Sequence, residues 1–307
     1  MNDAFALPFS QIGVMVLLAL AGFVMKKRGL LPESAPKSLS QVLVNAFMPA
    51  LIIDNLSSNI TLAVIQTKWR IVLYSILLLA ASIVSSRLAA KAMTKDISLR
   101  PMIAYYLAFP NFSYIGYPLV TALFGSAVLS DYILFSMAFS VCVYTYGRRM
   151  ITNVRVPVSR ALFSPTVLAI ASGLALGLLG IEIPGFVSSA LTSAARCVSP
   201  VSMLLIGYIL ASCNIRIAFN RLVATVVLMR LVAIPVTVVG LAYLLGLRGE
   251  MLAILALFLA MPLPLNPIIF QESDGENSHI TACVCCVSYL FALVTLPVML
   301  YIVMALF

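Results

Sequence analysis

The sequence predicts an all-α integral membrane protein of ten transmembrane helices, arranged as two inverted five-helix repeats with broken, crossing fourth and ninth helices. Three observations predict it. Hydrophobic residues form 63% of the chain and charged residues 9%, at a mean hydropathy of +1.11. A soluble domain carries roughly 25% charged residues. The apolar residues gather into ten segments parted by short polar loops. Prolines also recur at one offset: Pro32, Pro49 and Pro110 return as Pro184, Pro200 and Pro262, which lie 152, 151 and 152 residues further on.

A spanning helix needs about 20 mainly apolar residues. The first segment, 9–25, is preceded by Asp3 and followed by Lys26-Lys27-Arg28. That is the reverse of a signal peptide's charge order, so the segment reads as a span and no cleavable leader is expected. The second and third, 38–56 and 70–90, are bounded by loops that hold Lys37, Lys68 and Arg70, and Lys91. The fourth, 101–124, contains Pro110 after Leu107-Ala108-Phe109. Proline removes a backbone donor and clashes with the preceding turn, so the helix breaks there. The fifth, 131–147, ends at Arg148-Arg149, where the stretch 148–162 serves as connector. The sixth to eighth are 163–180, 186–212 and 219–245. The ninth, 251–271, repeats the break at Pro262 after Leu259-Ala260-Met261, and the tenth is 279–303.

Five helices per half is an odd number, so the second copy enters the membrane in the opposite sense. The expected units are residues 1–150 and 151–307. Gly29, three residues before Pro32, recurs as Gly180, four before Pro184. Pro110 lies ten residues from Arg100, and Pro262 twelve from Glu250. At 1.5 Å per residue both breaks are roughly 15–18 Å deep, about half the hydrocarbon core. Paired broken helices of this kind mark a transporter's midplane site.

Charge placement sets the topology. Loops on one side hold fourteen Lys and Arg, from Lys26 to Arg221, and the other side holds only Lys68, Arg70 and Arg248. Positive loops stay in the cytoplasm, which puts both termini outside a cell inner (plasma) membrane. The formal charge of +9 is spread through these loops and forms no continuous basic face, so no nucleic-acid partner is expected. The six cysteines lie in or beside apolar segments and read as packing residues, and His279 is the only histidine. No metal, cofactor or enzymatic activity is expected. Phosphate-binding glycine loops, zinc-protease patterns and nucleophile elbows are all missing from the sequence.

Several stretches together resemble the auxin efflux carrier family, in its bacterial branch, over nearly the whole chain. They are Asn45-Ala-Phe-Met-Pro49-Ala-Leu-Ile, Pro110-Asn111 with Gly116-Tyr117-Pro118-Leu119, and Ser164-Pro165. Pro200-Val-Ser-Met-Leu-Leu-Ile-Gly207, Met261-Pro262 and Thr295-Leu296-Pro297 complete the set. The resemblance implies ten helices in two inverted repeats, a scaffold part and a transport part with crossed broken helices, and often a homodimer. It also implies export or exchange of small organic anions, auxins in plants and carboxylates such as malonate in bacteria. Leu263-Pro264-Leu265-Asn266-Pro267 departs from the pattern by two extra prolines, which blurs the register of the second crossover.

Asn111 follows the first break and reads either as the N-cap of the half-helix beginning there or as a ligand for a substrate carboxylate. Asn266 is its counterpart after Pro262. Arg196, roughly 15 Å into the seventh segment, reads as a counter-charge for an anion, or as paired with Asp54 or snorkelling. Asn45, aligned with it in the repeat, joins the candidate set of Pro110, Asn111, Pro262, Asn266 and Arg196. Arg230, nine residues beyond Arg221, reads first as snorkelling to the interface and otherwise as a site residue. A protonatable Asp54 would suit proton coupling. Gly173 and Gly177, with Gly180 beyond, form a close-packing face, at another helix or a subunit interface.

These features favour a secondary active or facilitative carrier of small organic anions, working by alternating access in the lipid bilayer. A sodium-coupled symporter of the bile-acid type would need more carboxylates and hydroxyls at the crossing than Ser113 and Asn266. A non-transporting membrane receptor would need an output domain, and the loops are short.

Overall fold

In a computed structural model the protein is described for residues 2–152, 157, 162–213, 220–273 and 279–304. All regular structure among these residues is helical. The helices are α1 (Asn2–Lys27), α2 (Ala35–Asn59), α3 (Leu62–Met93), α4 (Arg100–Ala108), α5 (112–124) and α6 (126–152). They continue with α7 (Pro165–Leu179), α8 (Gly185–Ser212), α9 (Arg221–Leu244), α10 (Gly249–Ala260), α11 (Asn266–Ser273) and α12 (His279–Met304). Seven helical stretches among the described residues are long and apolar enough to cross a membrane, with Pro165–Leu179 and Gly249–Ala260 shorter.

The breaks fall where the prolines require. Helix α4 stops at Ala108, Phe109 turns extended (φ −111°, ψ 125°), and α5 starts after Asn111. Helix α10 stops at Ala260 and Met261 is likewise extended. A single residue, Gly125 at φ 78° and ψ −172°, kinks the chain between α5 and α6. Only glycine adopts that conformation without strain. Gly29 and Gly180 close α1 and α7 in the same way. Their N–H groups bond Lys26 and Gly177 carbonyls, and the next residues, Leu30 and Ile181, bond Met25 and Leu176. This paired capping is a Schellman motif in each half.

The helices pack as two groups. In the first, α1 runs along α8, and α2 lies against α7 and the first part of α8. Bilayer lipid is as apolar as leucine, so such contacts rest on close packing. A Cβ on Gly207 would run into the Ala19 carbonyl, one on Gly22 into that of Leu204, and one on Gly177 into that of Ile60. Gly173 meets Leu56 and Ile53. The glycine face of the sixth segment is therefore spent on α2 within the chain.

In the second group α3 packs on α4 and α6, and α10 on α9, α12 and α6. Its core is aromatic. Phe258, fully buried, stacks on Phe112 at 5.7 Å between ring centroids and meets Phe135 at 5.1 Å and Phe139 at 4.6 Å. Large apolar side chains such as Leu17, Leu77, Val84 and Val294 stay exposed on the outer helices, as lipid contact requires.

Three expectations need correction. Lys68 and Arg70, taken as loop residues, lie inside α3, which begins at Leu62. Arg230 does not snorkel: it is 1% exposed. Cys213 and Cys286 are not merely packing residues; a disulfide joins them between α8 and α12, while Cys142, Cys197, Cys283 and Cys285 are in no disulfide. Their separation of 73 residues carries no spacing signal, because only the approach of α12 to the end of α8 brings the sulfurs together.

Candidate functional site

The two breaks touch. The Asn111 N–H donates to the Pro262 carbonyl at 2.9 Å. Each proline leaves backbone groups without helical partners, and an unsatisfied group in the bilayer interior costs several kcal/mol. Here one break supplies the donor and the other the acceptor. The Leu263 N–H donates to Ser288 Oγ at 3.0 Å, and the Cys285 thiol to the Pro264 carbonyl at 3.3 Å, so α12 supplies two further partners to the second break.

Asn111 combines both roles open to it. Its Oδ1 accepts from the Tyr114 N–H at 3.2 Å, capping the turn that opens α5, and its Nδ2 donates to the Tyr289 hydroxyl at 3.0 Å. The side chain is 1% exposed. Asn266 opens α11, is also buried, and lies beside the Tyr105 hydroxyl without reaching hydrogen-bond geometry. Pro110, Asn111, Pro262 and Asn266 are thus held in one buried region. Arg196 and Asn45 are elsewhere. Arg196 ends the first part of α8, exposed. Asn45 is exposed in a π-turn of α2 against which that part of α8 packs, and donates to the Gln41 carbonyl at 2.8 Å. Asp54 accepts from Thr192 at 3.0 Å and has no ion pair with Arg196.

The buried charge near the crossing is Arg230. It sits in a π-turn of α9 (Met229–Ala233) and its Nη2 donates to the Leu259 carbonyl at 3.2 Å. Leu259 is in the last turn of α10, where carbonyls lack helical partners and the dipole is negative. Arg230 therefore partners one carbonyl of the terminus that ends before Pro262. Its Nε and the neighbouring Tyr132 hydroxyl have no hydrogen-bond partner.

Beside Tyr289 lies a cavity of 260 Å³ between the two helix groups, lined by Met15, Phe23, Leu119, Met203, Ile206 and Leu293 among others. Its walls are almost wholly apolar, and the Asn111–Tyr289 bond lies at its edge.

A second polar cluster escaped sequence reasoning. Lys68 of α3 reaches Asp131 of α6 at 2.5 Å and Glu250 of α10 at 3.2 Å. Asp131 is 1% exposed and its Oδ1 has no partner. Positions 68, 131 and 250 share no spacing motif. The one available signal was an aspartate standing alone in the apolar run Leu129-Ser-Asp-Tyr-Ile-Leu-Phe135.

Comparison with known proteins places this geometry. The membrane transport protein family matches residues 9–159 and again residues 153–300. The chain belongs to that family. The resemblance to auxin efflux carriers read from the proline and asparagine motifs therefore holds. An uncharacterized transporter of Methanothermobacter thermautotrophicus is 26% identical over 297 residues, covering 92% of this chain and 94% of its own. An uncharacterized transporter of Schizosaccharomyces pombe is 28% identical over 109 residues, covering 36% of this chain and 24% of its own. This family member is a multi-pass, all-helical membrane transport protein.

Proposed function

We propose that this membrane transport protein is a secondary carrier of small organic anions that works by alternating access at the crossing of its broken helices. The observation that carries the reading is the backbone bond from Asn111 to Pro262. It couples two interrupted helices at corresponding positions of the two halves, the arrangement in which transporters bind substrate. The reading includes ten spans in two inverted repeats, residues 1–150 and 151–307. It puts both termini outside the plasma membrane, following the loop charges.

In this mechanism the substrate carboxylate enters beside Tyr289 and displaces its bond with Asn111. The freed Asn111 amide and the N-terminal N–H groups of α5 then face the anion. Asn266 at the start of α11 offers the opposite wall. Arg230 adds positive potential at the end of α10. The apolar cavity takes the hydrocarbon part of the acid, which favours a monocarboxylate with an apolar body over a dicarboxylate such as malonate. The substrate would pass as the group containing α4–α6 and α9–α12 shifts against α1, α2, α7 and α8. Asp131, with Lys68 and Glu250 beside it, is the group we assign to proton coupling in place of Asp54.

Uptake of labelled carboxylates into proteoliposomes, with pH and sodium varied, tests the reading. Saturable flux of an organic acid, lost in Asn111→Ala, supports it. Flux of no acid, despite ligand-induced thermal stabilisation, would replace the carrier with a receptor. Sodium-dependent, pH-independent flux would replace proton coupling with a sodium symporter.

A further inference from the structure

A cavity of 540 Å³ opens at the end of the second helix group and is unused by the transport mechanism above. Three helices build it. Arg87 and Lys91 come from the last turns of α3, Arg100 from the start of α4, and Arg149 from the last turns of α6, with Tyr146 between them. Its lining holds four cations and no carboxylate. Among the described residues none of the four is in an ion pair, and Asp96 is the described acid that acts on one of them, Arg100.

The cations are positioned, not merely scattered along loops. Arg87 lies over the Tyr146 ring at 5.0 Å from its centroid. Arg100 Nε donates to the Thr94 carbonyl at 3.2 Å and its Nη2 to the Lys95 carbonyl at 3.4 Å, which fixes it against the end of α3. Helix α4 begins here with no side chain capping its first turn, so its positive dipole end faces the same space. Topology control needs only that such residues stay on one side of the membrane. It does not require them to converge on one cavity around a tyrosine ring. Immediately below, Val84 and Leu88 are exposed on the outer face of α3, at 60% and 62%. They leave an apolar strip beside the cations.

We propose that Arg87, Lys91, Arg100 and Arg149 form a binding site for a phosphate group, carried by an anionic phospholipid headgroup or free in solution. Guanidinium forks suit phosphate oxygens bidentately, and basic pockets between membrane helices hold anionic headgroups.

The test uses the full chain purified in a neutral detergent, with thermal unfolding followed during titration. The additives are phosphatidylglycerol, phosphatidylcholine and inorganic phosphate. Phosphatidylglycerol should raise the unfolding temperature where phosphatidylcholine does not. Each cation removed should weaken the response about fivefold, and Arg87→Gln with Arg149→Gln about 25-fold. Arg28→Gln with Lys37→Gln, which removes two cations outside the cavity, should respond as the unaltered chain does. If the double cavity variant fails to fold, exposed Lys91→Gln alone carries the test. A shift given equally by inorganic phosphate would make the free anion the ligand. No shift with either, or an equal loss in the Arg28/Lys37 variant, overturns the site.

Discussion

Replacing Arg230 with methionine should make the protein more stable and less active. Methionine keeps the length and apolar stem of the side chain but removes the charge. Arg230 is 1% exposed, makes one hydrogen bond, to the Leu259 carbonyl at 3.2 Å, and leaves Nε unpartnered. Losing a charge-assisted hydrogen bond costs about 1.5–3 kcal/mol. Against it stands the penalty for holding a desolvated ion without a counter-ion, several kcal/mol even after relaxation. The net is a gain of about 1–2 kcal/mol, or about 2–4 °C in unfolding temperature for a chain of this size. Circular dichroism of the purified protein in detergent measures it, and labelled-acid uptake measures the loss of transport. A fall in unfolding temperature would refute the premise that the charge is held at a cost. Unchanged transport would remove Arg230 from the site.

Three further outcomes follow from the geometry. Asn111→Ala and Tyr289→Phe each leave a buried polar group unpaired, so each should cost about 1–3 kcal/mol. Together they should cost less than their sum, and strict additivity in a double-mutant cycle of unfolding temperatures would deny the bond between them. Gly207→Leu should destabilise the chain by about 3 kcal/mol or more, because the Ala19 carbonyl occupies the space a side chain needs; Gly13→Ala, with nothing near its Cβ position, should leave the unfolding temperature unchanged. Lys68→Met strands the buried Asp131 carboxylate and should cost about 3–5 kcal/mol. Lys68→Met with Asp131→Leu should recover most of that while pH-driven uptake stays abolished, and retained pH coupling in the pair would exclude the cluster from proton transfer.

What the sequence by itself determined here is set by local chemistry. Pro110 and Pro262 were legible as candidate breaks because a missing N–H and a ring clash act within one turn, although Pro49, Pro200 and Pro297 lie in helices that run on. Gly29 and Gly180 end helices for the same kind of reason, and Asn111 was legible as a cap because its Tyr114 partner is three residues away. The apolar segments were legible because a bilayer demands length and hydropathy. Only the tertiary structure decided how these elements meet. That Asn111 reaches Pro262 and Tyr289, that Lys68 reaches Asp131 and Glu250, and that Cys213 bonds Cys286 are contacts across 63 to 182 residues. No spacing rule covers that range. Depth along a helix also says nothing about which way a side chain faces. Arg196 and Arg230 both read as charges within apolar segments, yet packing exposes the first and buries the second against the Leu259 carbonyl at the end of α10.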